Sequence, residues 1–258
     1  MAASFSSSTE WEEWMKDASE DSYQKKLYEN EAILSKEDID SVMCNCTAIL
    51  VEMGSKNSID RSVINTAIVY FKRLYTKLRF NQVHPYLAAP TCFYLASKVE
   101  EIMITASRVQ SYFVAVCKSH NVEPLQWTVE EILKCENLVL DQLNYNLIIF
   151  QPFRSLRHLL VLFHLKDFLP SCTALVNDSF FTFIPLLYPP HLIALTAVYM
   201  ICIFNSINPE ETFRRMQVDM DAIRKICSSL CRFYDRGMEP WPKTITDSII
   251  VLSQQFKS

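Results

Sequence analysis

Two stretches of this chain, 105 residues apart, are versions of one another. Pro85 matches Pro190, Leu87 matches Leu192, Ala89 matches Ala194, Thr91 matches Thr196 and Tyr94 matches Tyr199. In both copies a proline stands where a helix would begin, and small and apolar residues recur every three or four positions, the pattern of a helix buried among other helices. The chain is therefore read as a tandem helical duplication. Only the first copy ends in Lys98-Val99-Glu100-Glu101, so the surfaces of the two halves have diverged and a functional site is expected on one of them.

With 258 residues, that offset predicts two domains, each of about a hundred residues. Half of the residues are hydrophobic, enough for two cores, and the 2 glycines, Gly54 and Gly237, leave no material for a phosphate-cradling loop or for tight hairpins. A formal net charge of −4 argues against a general nucleic-acid binder, which needs clustered cations. The 9 cysteines are scattered through apolar helical patterns, as suits a reducing compartment. Cys227 and Cys231 lie one helical turn apart, but no second ligand pair completes a zinc set, and no metal is expected. The N-terminal residues lack the basic and apolar regions of a secretion signal. The uncharged run Ser179–Pro209 is broken by Pro185, Pro189 and Pro190. Its helix is shorter than the roughly 20 residues of a membrane span and is read as core.

Along the chain, Thr9 to about Leu27 is an acidic amphipathic segment carrying Trp11 and Trp14, with Thr9 as the expected N-cap ahead of Glu12. It is expected to pack across the first domain and to bind a partner through the two tryptophans. Ser35 caps a helix that is read as stopping at Gly54. Further helices are expected from Asn57 or Ser58, from Pro85, over Thr105–Lys118 and over Thr128–Leu143, and an extended linker over Asn144–Pro152. The second half repeats the plan: Phe153–Lys166, Ser171–Phe181, Pro190–Phe204, Pro209–Gln217 and Val218–Asp235, with an amphipathic tail from Thr244. The predicted layout is an N-terminal segment over 1–35, a first helical domain over 36–146, a second over 147–236 and a tail over 237–258.

Val69-Tyr-Phe-Lys-Arg-Leu-Tyr75, Ala89-Pro-Thr-Cys-Phe-Tyr-Leu-Ala-Ser-Lys-Val-Glu-Glu101, Cys135-Glu-Asn-Leu-Val-Leu140 and Leu187-Tyr-Pro-Pro-His-Leu-Ile-Ala-Leu195 together resemble the cyclins, and among them the cyclin C branch. The resemblance spans about residues 5 to 236. It implies an all-α fold of two five-helix cyclin boxes, no catalysis or cofactor, nuclear localisation, and a cyclin-dependent kinase of the Mediator-associated type as partner, with Mediator subunits 12 and 13 completing the assembly. Where cell-cycle cyclins carry a Met-Arg-Ala-Ile-Leu motif and a Trp that dock Arg-x-Leu substrates, this chain has Val42-Met43-Cys44-Asn45-Cys46 and Ile49, so that groove is expected to be absent. Near the N-terminus Phe5 fits the branch, whereas Ser6 replaces an expected Trp. Two other readings of a twin-box chain are a DNA-bound transcription factor and the cyclin of another transcriptional kinase.

On the helix from Thr128, Ile132, Leu133, Val139, Leu140 and Leu143 form an apolar stripe with Glu136 in its middle. A carboxylate there requires a partner, and Lys98 borders the apolar stripe of its own helix. An ion pair between the two helices is one reading. An intrahelical Lys98–Glu101 pair is another, worth only about 0.2–0.5 kcal/mol. The resemblance implies that Lys98 and Glu136 hold backbone groups of the kinase. It also places Val99, Glu101, Ile102, Leu140, Tyr145 and Leu147 on the kinase-facing surface. Lys72, Arg73, Lys77 and Arg79 form a basic helix end read as a solvated face, and the five histidines form no catalytic arrangement.

Overall fold

The computed structural model describes residues 5–237 apart from 33, 121, 123–126, 210–212 and 214–215, together with residues 248 and 252. Among the described residues the regular elements are helical and no strand occurs, as the all-α reading expects. The chain divides into two compact units, one of Ser19–Ile149 with Met238–Ser258, the other of Met1–Ala18 with Phe150–Gly237.

The first of these units holds α1 (Glu20–Leu27), α2 (Lys36–Lys56), α3 (Arg61–Leu74), α4 (Pro85–Val99), α5 (Ala106–Ser119) and α6 (Val129–Gln142). Each start is fixed by a side chain that accepts one of the amides left without a partner in a first helical turn. Ser35 takes Asp38 N–H, Asp60 takes Ser62 N–H and Thr105 takes Arg108 N–H. Thr128 and Glu131 complete a reciprocal capping box. His84 is the unexpected member: its ring Nδ1 accepts Tyr86 N–H at 3.1 Å and opens α4 in front of Pro85. Helix α4 packs against α2, α3, α5 and α6, and its Tyr86, Ala89, Cys92, Phe93 and Ala96 are fully buried.

The other unit holds α7 (Pro152–Leu162), α8 (Leu169–Ser179), α9 (Ile184–Leu187), α10 (Pro190–Phe204) and α11 (Met220–Asp235), with α10 packed on the other four. The helix expected over Pro209–Gln217 lies mostly outside the described residues. Phe213 is buried and its ring meets Phe163 and Tyr199. The expected tail helix also lies outside them, apart from Ser248, whose hydroxyl bonds Asp38 at 3.0 Å, and Leu252, which is buried.

The duplication survives at atomic detail. Helices α4 and α10 are both 15 residues long and begin at the matched prolines. The matched threonines make the same bond, Thr91 Oγ1 to Leu87 O at 2.7 Å and Thr196 Oγ1 to Leu192 O at 2.8 Å. In a buried helix a hydroxyl has no water to turn to, and the carbonyl one turn back satisfies it.

Gly54 does not stop α2, as its sequence position suggests. It lies inside the helix because α3 crosses there: a Cβ on Gly54 would stand 2.3 Å from Ile64 Cγ1. Helix α2 ends instead at Lys56, the turn beyond it closes at Ser58 with φ 53°, and the next helix starts at Arg61, later than expected. The same closure recurs. Glu101 (φ 59°), Asn144 (51°), His164 (56°), Ser206 (57°) and Gln217 (51°) hold left-handed backbone where glycine is usual. The following amide bonds five residues back each time: Ile59 to Gly54 O, Ile102 to Ser97 O, Tyr145 to Leu140 O, Leu165 to Leu160 O, Ile207 to Cys202 O and Val218 to Phe213 O.

The N-terminal amphipathic segment is not one helix. A short turn of 3-10 helix (Phe5–Ser7) and a π-helical turn (Glu10–Met15) precede α1, with a break before Ser19, which caps α1. Thr9 makes no cap bond, and Ser8 Oγ accepts Trp11 N–H at 3.3 Å instead. The part carrying Trp11 and Trp14 belongs to the unit of the second repeat, not to the first domain as expected. Two anchors explain this. The Glu10 carboxylate accepts Phe150 N–H at 2.8 Å, and the Phe5 ring meets Phe150 at 5.4 Å and His191 at 6.5 Å. Only the later part, with Tyr23 and Leu27 buried, joins the first repeat.

Candidate functional site

Packing of α4 on α6 brings together the two charges that the sequence singles out. Lys98 Nζ donates to Glu136 Oε1 at 2.7 Å and Oε2 at 2.9 Å. The same ammonium stands 4.2 Å from the centre of the Tyr94 ring, a cation–π contact. The Glu136 side chain is 11 % exposed and that of Lys98 46 %. Burial pulls the lysine's pKa down, but the carboxylate and Tyr94 outweigh it and the net shift is upward, so Lys98 meets the carboxylate as an ammonium at neutral pH. A carboxylate has about four acceptor positions and an ammonium three donors. Lys98 and Glu136 use only part of these on each other.

The turn after α4 frames one side of the pair. Glu100 Oε1 accepts Thr66 Oγ1 at 2.7 Å and ties the turn to α3, and Ile102 N–H closes back on Ser97 O at 2.8 Å. Val99 and Ile102 are half-buried and Glu101 is exposed. The segment after α6 frames the other side: the Tyr70 hydroxyl donates to Leu147 O, and Tyr145 OH donates to Asp141 Oδ1 at 2.7 Å, which raises the phenol's pKa. Leu140 and Leu147 are half-buried and Tyr145 is exposed.

The apolar stripe of α6 differs from the expectation. Its buried line is Ile132, Cys135 and Val139, continued by Leu143 just past the helix. Leu133 and Leu140 fall on the exposed edge beside Glu136, at the i−3 and i+4 positions. Two residues of the frame escaped the sequence reading. Met103 is 94 % exposed and Ile148 is exposed as well. The available signal was weak: each sits in a short apolar run, Ile102-Met103-Ile104 and Leu147-Ile148-Ile149, which reads equally well as core.

The basic helix end is a solvated face only in part: Lys77 and Arg79 are exposed. Lys72 and Arg73 are buried, and burial lowers Lys72 to about 7. Arg79 pairs with Glu29 at 3.2 Å, and Lys77 donates to Gln142 O. The positions expected to lack a docking groove are interior: Val42, Met43, Cys44, Asn45, Cys46 and Ile49 are all buried. Trp14 is buried in the unit of the second repeat and Trp11 is half-buried there. Among the described residues no group of three metal-ligating side chains occurs, and no helix is long and apolar enough to cross a membrane.

Comparison with known proteins gives this geometry a family. Residues 15–148 match the cyclin N-terminal domain. Cyclin-C1-1 of Oryza sativa is 32% identical over 183 residues, 71% of this chain and 70% of that protein. Cyclin-C of Rattus norvegicus is 29% identical over 242 residues, 92% of this chain and 84% of that protein. Among solved structures, a chain of the CAK complex from Chaetomium thermophilum superposes with a TM-score of 0.78 at 16% identity, covering 98% of this chain and 88% of that one. A chain of the yeast TFIIK complex gives 0.69 at 18% identity, covering 88% and 100%. With a cyclin N-terminal domain over half its length and relatives named cyclin C along most of the rest, the chain belongs to the cyclin family, beside cyclin C.

Proposed function

We propose that the chain is the non-catalytic regulatory subunit of a transcriptional cyclin-dependent kinase, and that Lys98 and Glu136 lie at the centre of the surface that holds the kinase. The observation that carries the reading is the pair itself. It is an ion pair with unused hydrogen-bonding capacity, and exposed apolar side chains stand at Leu133 on the helix of Glu136 and at Met103, Tyr145 and Ile148 in the segments that follow the two helices. Water leaves such a patch readily, and a partner's backbone amide or carbonyl can complete the pair's bonds in a drier medium. Val99, Glu101, Ile102, Leu140 and Leu147 supply the surrounding contacts.

The relatives named cyclin C and the kinase complexes among the structural neighbours support a transcriptional partner. The kinase we infer is the Mediator-associated one, with Mediator subunits 12 and 13 in the same assembly and the nucleus as the site of action. Of the two tryptophans, Trp11, half-buried in the unit of the second repeat, is the one assigned to partner recognition, since Trp14 is buried there. The DNA-binding alternative is not favoured, since Lys72 and Arg73 of the basic helix end are buried and Arg79 is paired with Glu29. The test is reconstitution of the purified chain with the Mediator-associated kinase and, separately, with other transcriptional kinases. Stoichiometric binding and activation by the first is expected. A chain that leaves all of them unbound would sink the reading.

A further inference from the structure

Helix α7, in the unit of the second repeat, turns one face to solvent that is composed like an interface. Arg154, Arg157, His158, Val161 and Leu162 fall at i, i+3, i+4, i+7 and i+8, one stripe of a helix, and all five are exposed. Val161 is 52 % and Leu162 55 % exposed. The opposite face, Leu156, Leu159 and Leu160, is buried, so the outer stripe is not needed for the core.

Three features make the charged end of this stripe unusual. From Gln142 to Lys166 the sequence has no aspartate or glutamate, while it has Arg154, Arg157, Lys166, His158 and His164. Neither arginine is engaged in a hydrogen bond or ion pair among the described residues. Arg154 also stands in the first turn of α7, where the helix dipole disfavours a cation and favours an acid, and that turn carries no acid. The local field is therefore positive twice over. Residues 150–237 hold 9 lysines and arginines against 7 aspartates and glutamates, in a chain whose formal net charge is −4.

We infer that the outer face of α7 is a docking surface for an acidic amphipathic helix of a partner protein, whose carboxylates meet Arg154, Arg157 and His158 and whose apolar side chains cover Val161 and Leu162. Charge alone would suit any polyanion. The apolar pair continues the stripe one to two turns beyond the arginines, about 6–12 Å along the axis at 1.5 Å per residue. A nucleic-acid backbone has nothing to offer it, whereas a helix with acids at i and i+3 and leucines two turns on matches both halves. The surface belongs to a different unit from the Lys98–Glu136 pair, and the inference does not depend on the kinase assignment.

The test uses the full chain and a synthetic helical peptide of about 18 residues, ~27 Å of helix, with two glutamates and two leucines in that spacing, read by fluorescence anisotropy. The controls are the same peptide with lysines for the glutamates and a single-stranded oligonucleotide. The acidic peptide should bind saturably and the lysine peptide should not. Arg154→Glu with Arg157→Glu should weaken the acidic peptide at least tenfold and gain the lysine peptide. Val161→Ser with Leu162→Ser should weaken the acidic peptide at least fivefold. All four side chains point to solvent, and a thermal melt on each variant checks that it folds. Failure of the acidic peptide to bind, binding indifferent to the charge reversal, or displacement of the peptide by the oligonucleotide would each overturn the assignment.

Discussion

Lys98 and Glu136 stand 38 positions apart and meet only because α4 and α6 pack, so their pairing is a tertiary fact that the sequence announced indirectly: each charge interrupts or borders an apolar stripe. Truncating one member of a hydrogen-bonded charge pair at an interface costs about 2–5 kcal/mol, part of it from stranding the other. Lys98→Ala and Glu136→Ala should each weaken kinase binding at least tenfold in calorimetry. A fall in melting temperature with affinity unchanged would show instead that the pair serves only to hold α4 to α6. His84 gave no such warning. Histidine is an uncommon N-cap, and the proline after it drew the reading to Pro85 as the start of the helix. Its ring is buried, and burial lowers its pKa to about 4. Between the unfolded value of about 6.5 and pH 4 the unfolded chain takes up a proton that the folded chain refuses, so stability falls as pH drops through that window, by up to roughly 3 kcal/mol. His84→Asn, which keeps a capping side chain, should flatten the dependence of melting temperature on pH between 6.5 and 4. A slope identical to that of the parent chain would exclude His84 as its source.

At the scale of elements, the sequence was most legible where two signals agreed. The limits of α10 were read correctly, because the proline start and the loss of apolar periodicity coincide, and Ser35, Thr105 and Thr128 mark their helices through short-range side-chain chemistry. The end of α2 was misread, since a glycine late in a helical pattern serves equally as a stop or as room for a neighbour, and only the crossing of α3 decides which. Two substitutions make the distinction measurable. Gly54→Ala improves helix propensity by about 1 kcal/mol, yet its methyl collides with Ile64 Cγ1, and overpacking of about 1–3 kcal/mol should leave the variant less stable. Ser206→Gly runs the other way: the left-handed turn at the end of α10 loses its strained side chain, and stability should rise by about 0.5–1 kcal/mol. Chemical denaturation of both variants checks the opposed signs, and a stabilising Gly54→Ala would refute the close-packing role.

The whole molecule is a duplicated helical chain whose proposed kinase-binding site lies in one copy, an asymmetry visible in the unmatched Lys98-Val99-Glu100-Glu101. Beyond reach of the sequence was the division of the N-terminal segment between the two units, because the bonds that decide it, Glu10 to Phe150 and the Phe5 rings, join positions with no periodic relation. Cysteine usage is a property of this same scale. Seven of the 9 thiols are buried, Cys227 is half-buried and only Cys231 is exposed. Burial pushes Cys44 and Cys135 up to about 11, Cys117 to about 12 and Cys227 to about 11, and a protonated thiol is a poor nucleophile. A disulfide reagent at neutral pH should therefore titrate one cysteine quickly in the folded chain and all of them after denaturation. Fast reaction of several in the native state would contradict the packing of both cores.

The helix ends carry a further consequence for the chain as a machine. A helix that closes on glycine rests in its final turn, whereas one that closes on Ser58, Glu101, His164 or Ser206 holds a side chain where the backbone resists it, and a tightened turn of that kind opens more readily than the helix it ends. One of these sprung turns, at Glu101, borders Lys98. A protein that seats itself there must first still that turn, so the strength of recognition is set partly by the freedom the turn surrenders and not by contacts alone.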